Sequence, residues 1–76
     1  MRRYFFDLTG AGRSEYDYTG RELPSPESAY RLAELIAVDL AVDDQEPWYG
    51  WTVNVRNVQG REIFCVAVKP GYLAAA

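Results

Sequence analysis

Apolar and polar positions alternate along three stretches of the chain and recur at helical spacing along a fourth. Near the start, Arg3-Tyr4-Phe5-Phe6-Asp7-Leu8 has the period of a strand. Tyr4, Phe6 and Leu8 share one face, and Arg3, Phe5 and Asp7 share the other. The first set suits a core. The second carries a large ring, so this strand, about residues 2 to 8, is expected inside a sheet. Thr9-Gly10-Ala11-Gly12 supplies turn chemistry, and a second strand runs from Arg13 to Tyr18. A three-residue loop of Gly10, Ala11 and Gly12 sets Leu8 opposite Ser14, Phe6 opposite Tyr16 and Tyr4 opposite Tyr18. A two-residue loop instead buries acids, so the pattern predicts the longer loop, with Gly12 in a bulge.

Arg21 to Pro24 reads as an extended connection. Ser25-Pro26-Glu27 is a helix start: a capping hydroxyl, proline at the first helical position and an acid facing the helix dipole. The helix is predicted over about Pro26 to Val42, ending near Asp43-Asp44 ahead of Pro47. At about 100° per residue, Ala29, Leu32, Ala33, Ile36 and Leu40 form the core stripe, with Glu27, Arg31 and Glu34 opposite. Leu35, Val38 and Val42 make a second apolar line, which either flanks the core or offers a contact surface to another chain.

The loop 43–50 carries Trp48 and Tyr49. With Trp51, these rings either lid the end of a small core or hold a small ligand. Gly50 to Arg56 alternates strictly, Asn57-Val58-Gln59-Gly60 reads as a type I turn, and Arg61 to Val68 returns. Pairing Asn57 with Arg61 sets Val55 opposite Ile63, Val53 opposite Cys65 and Trp51 opposite Ala67, facing the helix. Phe64, Val66 and Val68 then lie on the far face with Phe5. The expected fold is one α+β domain over residues 1–76 in the order ββαββ. Its four-stranded antiparallel sheet has order 2-1-3-4, with one helix on one face and a loose tail over 70–76.

Arg3-Tyr4-Phe5-Phe6-Asp7, then Tyr18-Thr19-Gly20-Arg21-Glu22-Leu23-Pro24, an alanine-rich helix and the turn Asn57-Val58-Gln59-Gly60-Arg61 make up a layout. This layout resembles a family of small bacterial proteins, known mainly from alphaproteobacteria and classed as a domain of unknown function. The likeness covers most of residues 2 to 68 and implies no activity or catalytic residue. At the level of fold alone, the chain is also similar to small antitoxin-type domains, in which a short sheet packed on one helix sequesters a toxin.

Composition narrows the function. Eight basic residues are scattered among eleven acids, for a net charge of −3, which disfavours nucleic acid and anionic membranes. The apolar runs are too short to span a bilayer, and no secretory leader is recognisable. One cysteine, Cys65, cannot form an internal disulfide and is expected as a small buried thiol, so the chain reads as cytoplasmic. There is no histidine, one lysine, and no serine beside a plausible base. Asp39, Asp43, Asp44 and Glu46 match no calcium loop. No enzyme, cofactor or metal is expected. The leading expectation is a protein–protein interaction module, most simply a homodimer, using Phe5, Phe64, Val66 and Val68 on the open sheet face. Leu35, Val38 and Val42 form the second candidate patch. The alternatives are single-stranded nucleic-acid binding through Phe5, Phe64 and Arg56, or antitoxin-like regulation.

Overall fold

The computed structural model describes residues 1–43 and 47–69. The elements are β1 (Arg2–Gly10), β2 (Arg13–Glu15), β3 (Arg21–Leu23), α1 (Pro26–Ala41), β4 (Thr52–Arg56) and β5 (Glu62–Ala67). The architecture is α+β, with one helix on an antiparallel sheet of five strands rather than four. The strand path is β2-β1-β4-β5, and β3 also pairs β1. The Arg21–Leu23 connection is therefore a strand, with Arg2 opposite Leu23 and Tyr4 opposite Arg21.

β1 takes the central position expected of it, but the first hairpin has a different register. Ala11 and Gly12 both have positive φ, 51° and 73°, and close a two-residue turn. Leu8 then faces Glu15 and Thr9 faces Ser14. The objection that such a turn buries acids fails because β2 ends at Glu15. Tyr16 and Tyr18 leave the sheet and are exposed.

The second hairpin begins as expected, with the Asn57 N–H donating to the Arg61 carbonyl at 2.9 Å. A β-bulge follows. Arg56 pairs with Glu62 but Val55 pairs with Phe64, leaving Ile63 as the extra residue. That single residue turns the rest of β5 over. Val53 faces Val66 and Asn54 faces Cys65. Val66 and Val68, 7% and 2% exposed, therefore belong to the core beneath the helix, and Phe64 packs against it. Cys65 is exposed rather than buried.

α1 starts as its sequence predicts, with the Ser25 hydroxyl accepting from the Ser28 N–H at 3.2 Å and proline in the first turn. Its buried line is Ala29, Ala33, Ala37 and Ala41. Leu32, Ile36 and Leu40 flank that line half-buried instead of forming its centre. A row of methyl groups lets the helix settle close to Val53 and Val55, both fully buried. At the far end Trp51 lies across Gly10, where an added Cβ would sit 2.5 Å from the indole Cγ. The expected tail over 70–76, and Asp44 and Glu46 of the acidic stretch, fall outside the described residues.

Candidate functional site

The sheet face away from the helix is not the apolar patch expected of it. It carries Phe5, Asp7 and Thr9 of β1 beside Arg56, Asn54 and Thr52 of β4, each pair directly opposite. These groups are spent on one another. Arg56 Nε donates to Asp7 Oδ2 at 2.9 Å and Nη2 to Oδ1 at 3.2 Å, a two-point pair. The guanidinium also lies over the Phe5 ring, 4.6 Å from its centroid. Further along, Thr9 and Thr52 share a hydroxyl hydrogen bond of 2.7 Å, and Asn54 Nδ2 donates to Thr9 Oγ1 at 2.9 Å.

The loop after β2 completes this cluster. β1 pairs β2 at one end and β3 at the other, leaving a gap between them on the same edge. Asp17 fills it. Its Oδ2 accepts from the Phe6 N–H at 3.1 Å, and its Oδ1 accepts from Thr19 and Gly20 N–H groups, both at 3.0 Å. The Asp17 N–H donates to Asp7 Oδ1 at 2.9 Å, and the Asp17 carbonyl accepts from Arg56 Nη2 at 3.2 Å. Gly20 is required there: φ is +75°, and an added Cβ would lie 2.9 Å from the Tyr4 carbonyl. Burial pushes the Asp17 carboxyl up, but the N–H groups of Gly20, Phe6 and Thr19 and the Arg56 charge outweigh it, so it lies below its ordinary value. The hydrogen bond to Asp7 raises the Arg56 guanidinium; burial opposes that rise, and the charges of Asp7 and Asp17 add to it.

The aromatic loop lids the core. The Trp48 and Trp51 rings meet edge to face at 4.9 Å. Trp48 Nε1 donates to Asp43 at 3.0 Å, and the Tyr49 hydroxyl donates to the Ala41 carbonyl at 3.2 Å, closing the helix C-terminus. Of the second apolar line, Leu35 is 63% exposed, Val42 is exposed and Val38 is half-buried. Leu35 borders an open groove of about 500 Å³ between α1 and β3, floored by Phe6, Leu32 and Ile36.

The opposite flank of the helix meets the outer edge of the sheet at β5. Phe64 packs edge to face on Tyr30 at 5.2 Å, and with Glu27, Arg31 and Glu34 they line a shallow groove of about 410 Å³. Tyr30 is 40% exposed. Among the described residues none of these three charges makes an ion pair.

The structure thus brings Phe5 together with Arg56 and Asp7 and separates Phe5 from Phe64, Val66 and Val68. Sequence reasoning missed Asp7, Asp17 and Tyr30. The signal for Asp7 was an acid in the middle of a largely apolar central strand, where only a charged partner on a neighbouring strand, here Arg56, could offset its burial. Among the described residues no cluster of three or more His, Cys, Asp or Glu could hold a metal. No helix of the described chain is long and apolar enough to cross a membrane.

A single helix over an antiparallel sheet, with Asp7, Asp17 and Arg56 bonded to one another, places this chain among small α+β domains. It belongs to the domain of unknown function DUF6894, whose family model matches residues 3–69. Neither a curated protein nor a solved structure matches the chain.

Proposed function

We propose that this domain is a small non-enzymatic protein–protein interaction module that self-associates. The observation that carries the reading is the part-exposed Tyr30–Phe64 pair, which lines a shallow groove where α1 meets the outer edge of the sheet at β5. Part-exposed aromatic surface of this kind on a small domain marks a contact with another chain. The contact surface moves from the open sheet face to this edge because Val66 and Val68 are core residues. The non-enzymatic reading is supported by Asp7, Asp17 and Arg56 being bonded to one another. A cytoplasmic, bacterial setting is supported by the lone free thiol and by the likeness of the Arg3–Asp7 stretch to the alphaproteobacterial family.

Sedimentation velocity from micromolar to millimolar concentration tests the reading. The expected result is a reversible monomer–dimer equilibrium; a strict monomer across that range removes self-association. Nucleic-acid binding gains nothing from the structure, since Arg56 and Phe5 already cover each other.

A further inference from the structure

We infer that the cavity at the start of β1 is a binding site for a small carboxylate with an apolar body, held by Arg2 and the Tyr4 hydroxyl. This goes beyond the reading of the domain as an interaction module and does not rest on it, since the cavity shares no lining residue with the Tyr30–Phe64 groove.

Three parts of the chain close around this space of about 590 Å³: the first residues of β1, the start of α1 at Pro26, and the β4–β5 turn with Ile63. Small-molecule sites commonly occupy about 300–1,000 Å³. The bulge is what brings Ile63 here. As the extra residue of β5 it is set against no residue of β4, and it joins Pro26 and Val58 as the apolar part of the wall. The charged part of the wall has one sign. Arg2 and Arg3 border the cavity and no acid does, in a chain with eleven acids.

Tyr4 is the second, independent observation. It forms part of the wall and is 2% exposed, and its buried hydroxyl has no hydrogen-bond partner among the described residues. A buried hydroxyl left without a partner costs free energy, which a ligand oxygen recovers. Alternation along β1 puts Arg2 on the same side of the sheet as Tyr4. The Arg3 guanidinium is tied to the Thr19 carbonyl at 2.8 Å and to Glu22 at 3.3 Å. Arg2, by contrast, makes no ion pair among the described residues. Asn57 spends its Oδ1 on the N–H groups of Gln59 and Arg61, both at 3.0 Å, which leaves its amide Nδ2 as a further donor on the cavity wall. A guanidinium, a phenol and an amide can all donate to one anion. The guanidinium fork matches the two oxygens of a carboxylate, and the wall of Pro26, Val58 and Ile63 takes a hydrocarbon body. Charge and apolar wall together select a carboxylate that carries such a body over a bare anion or a neutral hydrocarbon.

Isothermal titration of the full chain with octanoate tests the site. Acetate keeps the charge without the body, and octanamide keeps the body without the charge. Octanoate is expected to bind one per chain, and each control about tenfold more weakly or worse. Two variants place the site on its residues. Arg2→Gln is expected to weaken octanoate by about tenfold and to leave the melting temperature unchanged, because its side chain has no ion pair to lose. Tyr4→Phe keeps the ring in the core and removes the unpartnered hydroxyl. It is expected to weaken octanoate by about threefold to tenfold while the melting temperature of the unliganded chain holds or rises. A hydroxyl with a purely structural role gives the reverse, a lower melting temperature with octanoate affinity intact, and that result overturns the proposal. So does an absence of binding at about 10 mM octanoate, octanamide binding as tightly as octanoate, or an affinity that Arg2→Gln leaves unchanged. Sedimentation reads self-association separately, so each of these failures leaves the interaction module standing.

Discussion

Asp7 ties separate parts of this fold together through one side chain. It is the one buried charged residue among those described, at 5% exposure, and its partners come from two separate parts of the chain, Arg56 on β4 and the Asp17 backbone. Breaking a buried pair by removing one member leaves the other uncompensated, typically at about 3–5 kcal/mol. The Arg56 side chain is 29% exposed, which lets water recover part of that loss. Asp7→Asn is therefore expected to cost about 1–3 kcal/mol by urea unfolding. A double-mutant cycle with Arg56→Met should show a coupling of about 1 kcal/mol or more, and a coupling near zero would mean that the pair is decorative. Asp17 supplies a pH signature. Its folded pKa is lowered, so its contribution is present above the ordinary carboxylate value of about 3.9 and is lost as pH falls through the folded value. The variant Asp17→Asn should be less stable at neutral pH and should show a flatter loss of stability on acidification than the wild type; parallel curves would contradict this.

At the scale of elements, two loops decide which side chains share a face. The Ala11-Gly12 turn holds alanine at φ 51°, a region where a Cβ is disfavoured and asparagine is better tolerated. Ala11→Asn is expected to stabilise by about 0.5–1 kcal/mol, raising the melting temperature by about 2–8 °C, as calorimetry would read directly. A lower melting temperature would show that another interaction holds the turn. The same turn marks where the pattern of residues stops being informative. The helix start at Ser25-Pro26, the central place of β1 and the alternation of β4 are all legible, because each follows from a local periodicity or cap. The length of β2 is not, because Asp17 leaves the sheet to bond the Phe6 N–H, a partner reached only after folding. Ile63 is harder still. It reads as a regular member of an alternating strand, and nothing in its neighbours announces a bulge. Yet that one residue moves Phe64, Val66 and Val68 across the sheet and brings Cys65 to the surface. The alanine line of α1 was readable as small residues but not as the contact itself, since larger neighbours on the same side carry the stronger hydrophobic signal.

For the molecule as a whole, the two sheet faces do different work from that implied by a count of apolar residues. The helix side is a conventional core, and the far side is held by two polar groups, Thr52–Thr9–Asn54 and Arg56–Asp7–Asp17. Phe5 belongs to the second of these as the platform beneath Arg56, while Phe64 packs on Tyr30 at the outer edge of the sheet. This division yields a test that separates folding from association. A dimer that unfolds to monomers melts at a temperature that rises with concentration, by about 3–5 °C per tenfold for a chain of this size, well above the dissociation constant. Phe5→Ser removes the platform under Arg56, so it should lower the melting temperature at every concentration while keeping the slope. Phe64→Ser should lower it too, by loss of the Tyr30 contact, but should also flatten the slope, because its ring lines the groove proposed above as the contact surface. If Phe5→Ser is the variant that flattens the slope, the interface lies on the open sheet face; if neither does, it lies away from both rings.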